Sequence, residues 1–397
     1  MNGIYKKFDL IEIDNEEISQ AELNIDNKER SNLFNWNGQF SPQFIEVLLE
    51  RYAMKKDIIY DPFAGSGTVL YEAGRKGLQA VGIELNPSAY YMSKFYELMC
   101  VSIEEREEII RYIDDIVANM FFDHDYEILL VDEHINNNNA FINNTVRLLI
   151  ILLDIENKKV NVDIIIKKWN NLKNNLLNLP FSSEDIKCYM GDSRKNHILN
   201  NTVSLVITSP PYINVFNYHQ NYRKSVENLG YDVLNIAKKE LGANRKHRGN
   251  RFYTVIQYCI DMALSINETI RICKDKATLI YVVGRESRVL GLDFYNSRLI
   301  YNIFVKIFNI NLRIRQSRTF KNRFGKLIIE DVLHFCIEKE NITMLSEEEI
   351  IRLAQEIGRE ELLLNIDKDF EEKNLLLLNI AINNYKKIWR SEYSVEN

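Results

Sequence analysis

What this 397-residue chain lacks narrows its nature more than its bulk composition does. Its five cysteines, Cys100, Cys188, Cys259, Cys273 and Cys336, form no Cys-x-x-Cys pair, so neither a zinc site nor a disulfide framework is indicated and buried reduced thiols are expected. Apolar runs are short. The densest, LLIILL at 148–153, falls far below the roughly 20 residues of a membrane-spanning helix. The opening stretch MNGIYKKFDLIEID has no signal-peptide core, so a cytoplasmic protein with no membrane and no metal partner is expected. No repeat of fixed period is present. At 46% hydrophobic and 27% charged the chain is of ordinary globular composition, long enough for one large domain with insertions or for two domains.

An excess of positive charge is missing too: the formal net charge is -6, which taken alone argues against a polyanionic partner. The distribution argues otherwise. Residues 245–251, RKHRGNR, hold Arg245, Lys246, Arg248 and Arg251 with no acid, and 311–326, NLRIRQSRTFKNRFGK, hold six bases, Arg318, Lys321 and Arg323 among them, again with no acid. Two such clusters make a local footprint for phosphates even on an acidic protein. Residues 101–180 carry 14 acids against eight bases and read as a helical insert with a solvated acidic face.

Two stretches carry chemistry. In IIYDPFAGSGTVLYEAGRKGLQAVGIELNP, 58–87, a short strand runs into Gly65 and Gly67, then a helix from Thr68 to Arg75, then a strand ending at Glu84. An acid at that point of a nucleotide-binding unit accepts both hydroxyls of a ribose. The third glycine of G-x-G-x-x-G is absent, Leu70 standing in its place, which disfavours a dehydrogenase, and no Gly-Lys-Ser/Thr follows, which removes a phosphate-cradling loop. A nucleoside without a pyrophosphate remains. In VSLVITSPPY, 203–212, a buried parallel strand is stopped by Pro210 and Pro211, leaving Tyr212 just past its carboxyl end, the rim where open α/β sheets bind ligands. Taken singly, each feature has an ordinary explanation, such as turn glycines, a surface acid or a core tyrosine. Their placement at successive strand ends is what points to a site.

DPFAGSGT followed by ELNP, then GDSR (191–194), then TSPPY resembles the S-adenosylmethionine-dependent DNA methyltransferases that methylate exocyclic amino groups. FNWNGQFSPQFIEVLLERY, 34–52, is similar to the helix and loop that close over the methionine end of that cofactor. Five of the six prolines fall inside these motifs. The resemblance covers roughly 31–98 and 184–340 and implies a Rossmann-like methyltransferase fold, α/β, with a mostly parallel seven-stranded sheet and an antiparallel edge hairpin. Domain bounds follow as a 1–30 N-terminal segment, a catalytic domain of 31–98 and 184–343, a helical insert of 99–183, and a helical tail of 344–397 opened by Ser346 with Glu349 at the capping-box position. The insert, about 85 residues where the family needs a short connection, has no role to transfer.

The resemblance places Asp61, Phe63, Gly65, Gly67 and Thr68 on the methionine side of S-adenosyl-L-methionine, Glu84 on the ribose, Asp192 near the adenine amine, and Phe40 with Pro42 over the methionine end. Ser209, Pro210, Pro211 and Tyr212 become the catalytic corner. Serine before Pro-Pro-Tyr is the cytosine-N4 form; adenine-N6 enzymes tend to carry an acid or asparagine there. A flipped base must present its amine lone pair to the methyl group, so the Ser209 hydroxyl and the Pro210 carbonyl are expected to accept the amine hydrogens while Tyr212 stacks on the ring. The Tyr212 hydroxyl is expected to matter little. No proline is followed by cysteine, which excludes the cytosine-C5 route. The expected partner is double-stranded DNA, held by the two basic loops, with a separately encoded restriction endonuclease as companion, or the enzyme acts alone. Adenine-N6 methylation is the alternative. A transfer-RNA guanine-N2 enzyme is a weaker one, 30 residues being too few for its N-terminal RNA-binding domain, and a cofactor-binding DNA adaptor without catalysis is the reading from another class.

Overall fold

Five segments build a parallel sheet: β1 (Ile58–Asp61), β2 (Gln79–Glu84), β3 (Ile186–Met190), β4 (Val203–Thr208) and β5 (Cys273–Gly284). The computed structural model describes residues 8–120, 125–155, 160–213, 217–242, 247–321, 325–368 and 371–393. Two further strands, β8 (Leu312–Lys321) and β9 (Leu327–Cys336), form an antiparallel hairpin whose β9 pairs antiparallel with β5. The order across the seven strands is β3-β2-β1-β4-β5-β9-β8. Between β5 and β8, β6 (Ser287–Val289) and β7 (Leu292–Phe294) make a separate two-stranded ribbon. The fold is the α/β, Rossmann-like sheet with the antiparallel hairpin expected from the motifs.

Strand order reverses between β1 and β4, because the chain winds outward to β2 and β3, then returns to start the other half at β4. In open α/β sheets the crevice for a ligand lies at that reversal, beyond the strands' carboxyl ends. Asp61 closes β1 and Ser209 follows β4, so both motif regions reach the crevice.

Helices cover both faces. On one lie α1 (Pro42–Tyr52), α2 (Thr68–Arg75) and α3 (Pro87–Lys94), and the insert helices α4 (Ile103–Ala118), α5 (Ala140–Leu153) and α6 (Val162–Leu177) stack onto them. Ile109, Ile113, Leu148 and Trp169 of the insert belong to the same apolar cluster as Phe44 and Leu70, so the insert has no separate core. Its charges lie outside: Glu104, Glu105, Glu107 and Glu108 of α4 are exposed. On the other face α7 (Tyr253–Ile272) and α8 (Asn296–Phe308) pack with the tail helices α9 (Glu347–Leu363) and α10 (Glu372–Asn383). The capping box read from the sequence forms at α9, with Ser346 accepting from Glu349 N–H and Glu349 accepting from Ser346 N–H. Arg298 of α8 fastens α9 through a buried two-pronged pair with Glu361, at 2.7 and 3.0 Å. Among the described residues no helix is long and apolar enough to cross a membrane.

Candidate active site

The crevice at the strand reversal is a cleft with a cavity of about 110 Å3. Its floor begins at Asp61, a carboxylate with 1% of its surface exposed. Asp61 Oδ1 accepts from Phe63 N–H at 3.0 Å and from the Thr208 hydroxyl at 2.6 Å, which ties the end of β1 to the end of β4. Burial pushes the Asp61 carboxyl up to about 7, and those two hydrogen bonds only partly oppose it.

Next to it the backbone turns through Gly65 (φ +55°) and Gly67 (φ +85°). A side chain at Gly67 would be strained by that left-handed φ, and its Cβ would lie 2.8 Å from Ser93 Cα and from the Tyr96 ring. The loop is held by Glu84: Gly65 N–H donates to Oε2 at 2.7 Å and Asn86 N–H to Oε1 at 2.8 Å. Burial pushes Glu84 to about 7 as well, with Asp61 and Glu240 adding repulsion. The glycine loop and the acid after β2 are thus one unit, each fixing the other.

Residues 32–40 roof the loop. Thr68 Oγ1 donates to Asn32 Oδ1 at 2.9 Å, Asn32 Nδ2 to the Phe40 carbonyl at 2.7 Å, and Ser66 Oγ to Gln39 Oε1 at 2.7 Å. Trp36 passes over Gly65, within 3.4 Å of where a Cβ would stand, and stacks on Tyr218 with ring centroids 5.9 Å apart and planes 15° from parallel. Phe40, Phe63, Thr68, Glu84 and Asp192 line the same cleft. Pro42 does not line it: it is buried as the first residue of α1. Gly67 stands behind the wall as the N-cap of α2.

At the β3 end, Asp192 is already engaged. Its Oδ1 accepts from Arg194 N–H and Nε, both at 2.9 Å, and Oδ2 from Nη2 at 2.6 Å. Arg194, fully buried, bridges on to Asp261 Oδ1 at 2.7 Å. These two carboxylates raise the Arg194 pKa against the opposing cost of burial.

Ser209 and Pro211 line the cleft; Pro210 is buried and does not. Tyr212, half-buried, is not among the lining residues either. Its ring lies against Gly284 at the end of β5, where an added Cβ would come within 2.8 Å. Its hydroxyl donates to Glu330 Oε1 at 3.2 Å and meets Ser209 Oγ at 3.1 Å.

Part of the basic footprint is corrected by the structure. Arg318 is 5% exposed: it pairs with Glu330 at 3.6 Å and its guanidinium lies 4.0 Å from the Phe44 ring centroid. Arg315 is likewise inside, on Asp331 at 3.4 Å, and Arg313 pairs with Glu338. Arg248, Arg251 and Lys321 are exposed. Arg245, Lys246 and Arg323 lie outside the described residues.

Among the cleft residues given no role by motif reasoning are Trp36, Tyr218, Glu240 and Leu241. Trp36 stands inside the quoted stretch 34–52 and Tyr218 lies six residues past Tyr212, so an aromatic in or beside each motif was the available signal. Glu240 and Leu241 belong to a segment with no motif. No group of three or more metal-ligating side chains occurs among the described residues.

Residues 9–95 match the model of the DNA methylase family N6_N4_Mtase, a region holding the roof, the glycine loop and Glu84. Over 52 residues the chain is 42% identical to the type II methyltransferase M.MjaII of Methanocaldococcus jannaschii, covering 13% of this chain and 10% of that protein. Over 307 residues it is 24% identical to the type II methyltransferase M.BsoBI of Geobacillus stearothermophilus, covering 59% of this chain and 60% of that one. The chain thus spans a tenth and three-fifths of these two relatives. A solved SAM-dependent methyltransferase from Methanosarcina mazei is similar at 9% identity, with a TM-score of 0.36 over 73% of this chain and 97% of that one. The resemblance to DNA amino-methyltransferases read from the motifs is matched by the DNA methylase model.

Proposed function

We propose that this chain methylates the exocyclic N4 of cytosine in double-stranded DNA, using S-adenosylmethionine. The observation that carries the reading is that one cleft is lined both by the Gly65 and Glu84 unit and by Ser209 and Pro211 of the TSPPY corner. The residues present suit the cofactor. Asp61 and Glu84 sit in the cleft as buried carboxylates whose protons are held up to about pH 7, and a ligand with sulfonium and ammonium charges relieves their mutual repulsion. Phe40, Phe63 and Trp36 give it apolar walls. When bound, the cofactor supplies an electrophilic methyl group on sulfur.

The chain's own work is orientation. An exocyclic amine is a weak nucleophile because its lone pair is delocalised into the ring, and a base inside the duplex is out of reach, so the base must leave the stack. The Tyr212 hydroxyl has one hydrogen, and it goes to Glu330. In the 3.1 Å contact the Ser209 hydroxyl is therefore the donor, and its lone pairs stay available to accept an amine hydrogen. A neutral serine suffices, since the amine proton becomes acidic only after the methyl has transferred. The serine form of the corner favours cytosine N4 over adenine N6. Two relatives named as type II methyltransferases favour a restriction endonuclease as companion.

Modification-sensitive sequencing of genomic DNA from a host expressing the chain tests this. N4-methylcytosine at one short sequence is expected; N6-methyladenine would replace the base assignment, and unmodified DNA would remove the activity.

A further inference from the structure

We infer that Glu240, on a segment outside every motif, is the residue that reads the exocyclic amine of the cofactor's adenine. The inference rests on the cofactor assignment above. The resemblance gives that task to Asp192, but Asp192 accepts three hydrogen bonds from Arg194 and serves as its anchor. Arg194 in turn donates to the Lys239 carbonyl at 3.2 Å, which pins the next residue, Glu240, beside the β3 end of the cleft.

Glu240 is 8% exposed and lines the cleft together with Leu85, Ser193 and Leu241. Its Oε2 is hydrogen-bonded with His219 Nδ1 at 2.8 Å, and His219 is itself buried. The other oxygen, Oε1, is buried with no hydrogen-bond partner among the described residues. A carboxylate oxygen shut away from water without a donor is costly, so buried acceptors of this kind are nearly always satisfied. Glu240 lines the cleft, so a molecule bound there can supply the missing donor. Of the cofactor's donors, the ammonium is assigned to the Asp61 end of β1, two strands from β3 and so about 10 Å away. The ribose hydroxyls are assigned to Glu84 between them. The adenine amine is the donor left for the β3 end, and a carboxylate acceptor both welcomes it and repels a carbonyl oxygen in its place.

Calorimetry on the full chain tests this with S-adenosylhomocysteine and its 6-oxo analogue, S-inosylhomocysteine, against wild type and Glu240→Gln. Wild type is expected to prefer the amino ligand by about 10- to 100-fold, the scale of one charge-assisted hydrogen bond. Glu240→Gln offers either a carbonyl or an amide N–H2 at the same volume, so the preference is expected to shrink to about threefold or less. A wild-type protein that binds the two ligands equally overturns the role of Glu240 even if the variant does not fold. So does a Glu240→Gln protein that keeps the full preference. If neither ligand binds wild type, the cofactor assignment itself falls, and this role with it.

Discussion

Tyr212 and Glu330 share a hydrogen bond of 3.2 Å that joins the TSPPY corner after β4 to the reversed strand β9. Glu330 is largely buried, burial raises its carboxyl pKa, and Arg318 and the Tyr212 hydroxyl work in the opposite direction. The tyrosine hydroxyl is therefore a structural donor and not a spare group.

Tyr212→Phe should for that reason cost more than the sequence suggests. It leaves Glu330 Oε1 buried without a donor and removes the partner that orients Ser209, so about 1–3 kcal/mol of stability is expected to be lost. Chemical denaturation and single-turnover methyl transfer measure the two effects. Unchanged stability together with an unchanged rate would mean the bond does not form in solution.

Gly284→Ala probes the same corner from the opposite side. The new methyl group would lie 2.8 Å from the Tyr212 ring and displace it. Methyl transfer should fall at least tenfold, about 1.4 kcal/mol, while cofactor affinity stays within about twofold. Loss of cofactor binding instead would place Tyr212 in the cofactor's wall.

The raised carboxyls give a pH dependence of defined sign. Asp61 and Glu84 have folded-state values of about 7, above their ordinary values near 4, so the free protein holds protons that the unfolded chain has released. Their contribution to stability is thus full below about pH 4, declines between about 4 and 7, and is flat above. A cationic ligand favours the ionised carboxylates, so its binding should release protons near pH 6.5, and its affinity should rise up to about pH 7.5. Calorimetry in buffers of different ionisation enthalpy reads this directly. Binding at pH 6.5 without proton release would count against the pairing of these acids with a cation.

Exposed and buried arginines should behave differently towards DNA. Arg248→Ala with Arg251→Ala removes two exposed charges and should flatten the dependence of log affinity on log salt by about 2. Arg318→Ala should leave that slope alone and destabilise the fold, because Glu330 would lose its ion-pair partner. The reverse pattern would return recognition to the β8 strand.

Arg318 also illustrates where sequence reasoning fails. Residues 311–326 contain no acid, so charge counted along the chain looks like a free phosphate footprint. Charge in a sheet is balanced across strands, and the register sets Arg318 directly opposite Glu330 and Ser317 opposite Asp331. The strand ends were legible because glycine turns, a strand-end acid and two prolines mark chain positions whose backbone geometry those residues enforce. Glu240 was not, since a lone acid in an Asn- and Lys-rich segment has no local signature. Its meaning comes from the Lys239 carbonyl held by Arg194, a contact between residues 45 positions apart.

The most direct test of the account is to incubate the purified chain with DNA and methyl-labelled S-adenosylmethionine, digest the DNA to nucleosides, and identify the labelled one. Label is expected in N4-methyl-2′-deoxycytidine for wild type, slowed strongly but not abolished by Ser209→Ala. Label confined to N6-methyl-2′-deoxyadenosine, or no label in DNA under conditions where the cofactor binds, would contradict the account.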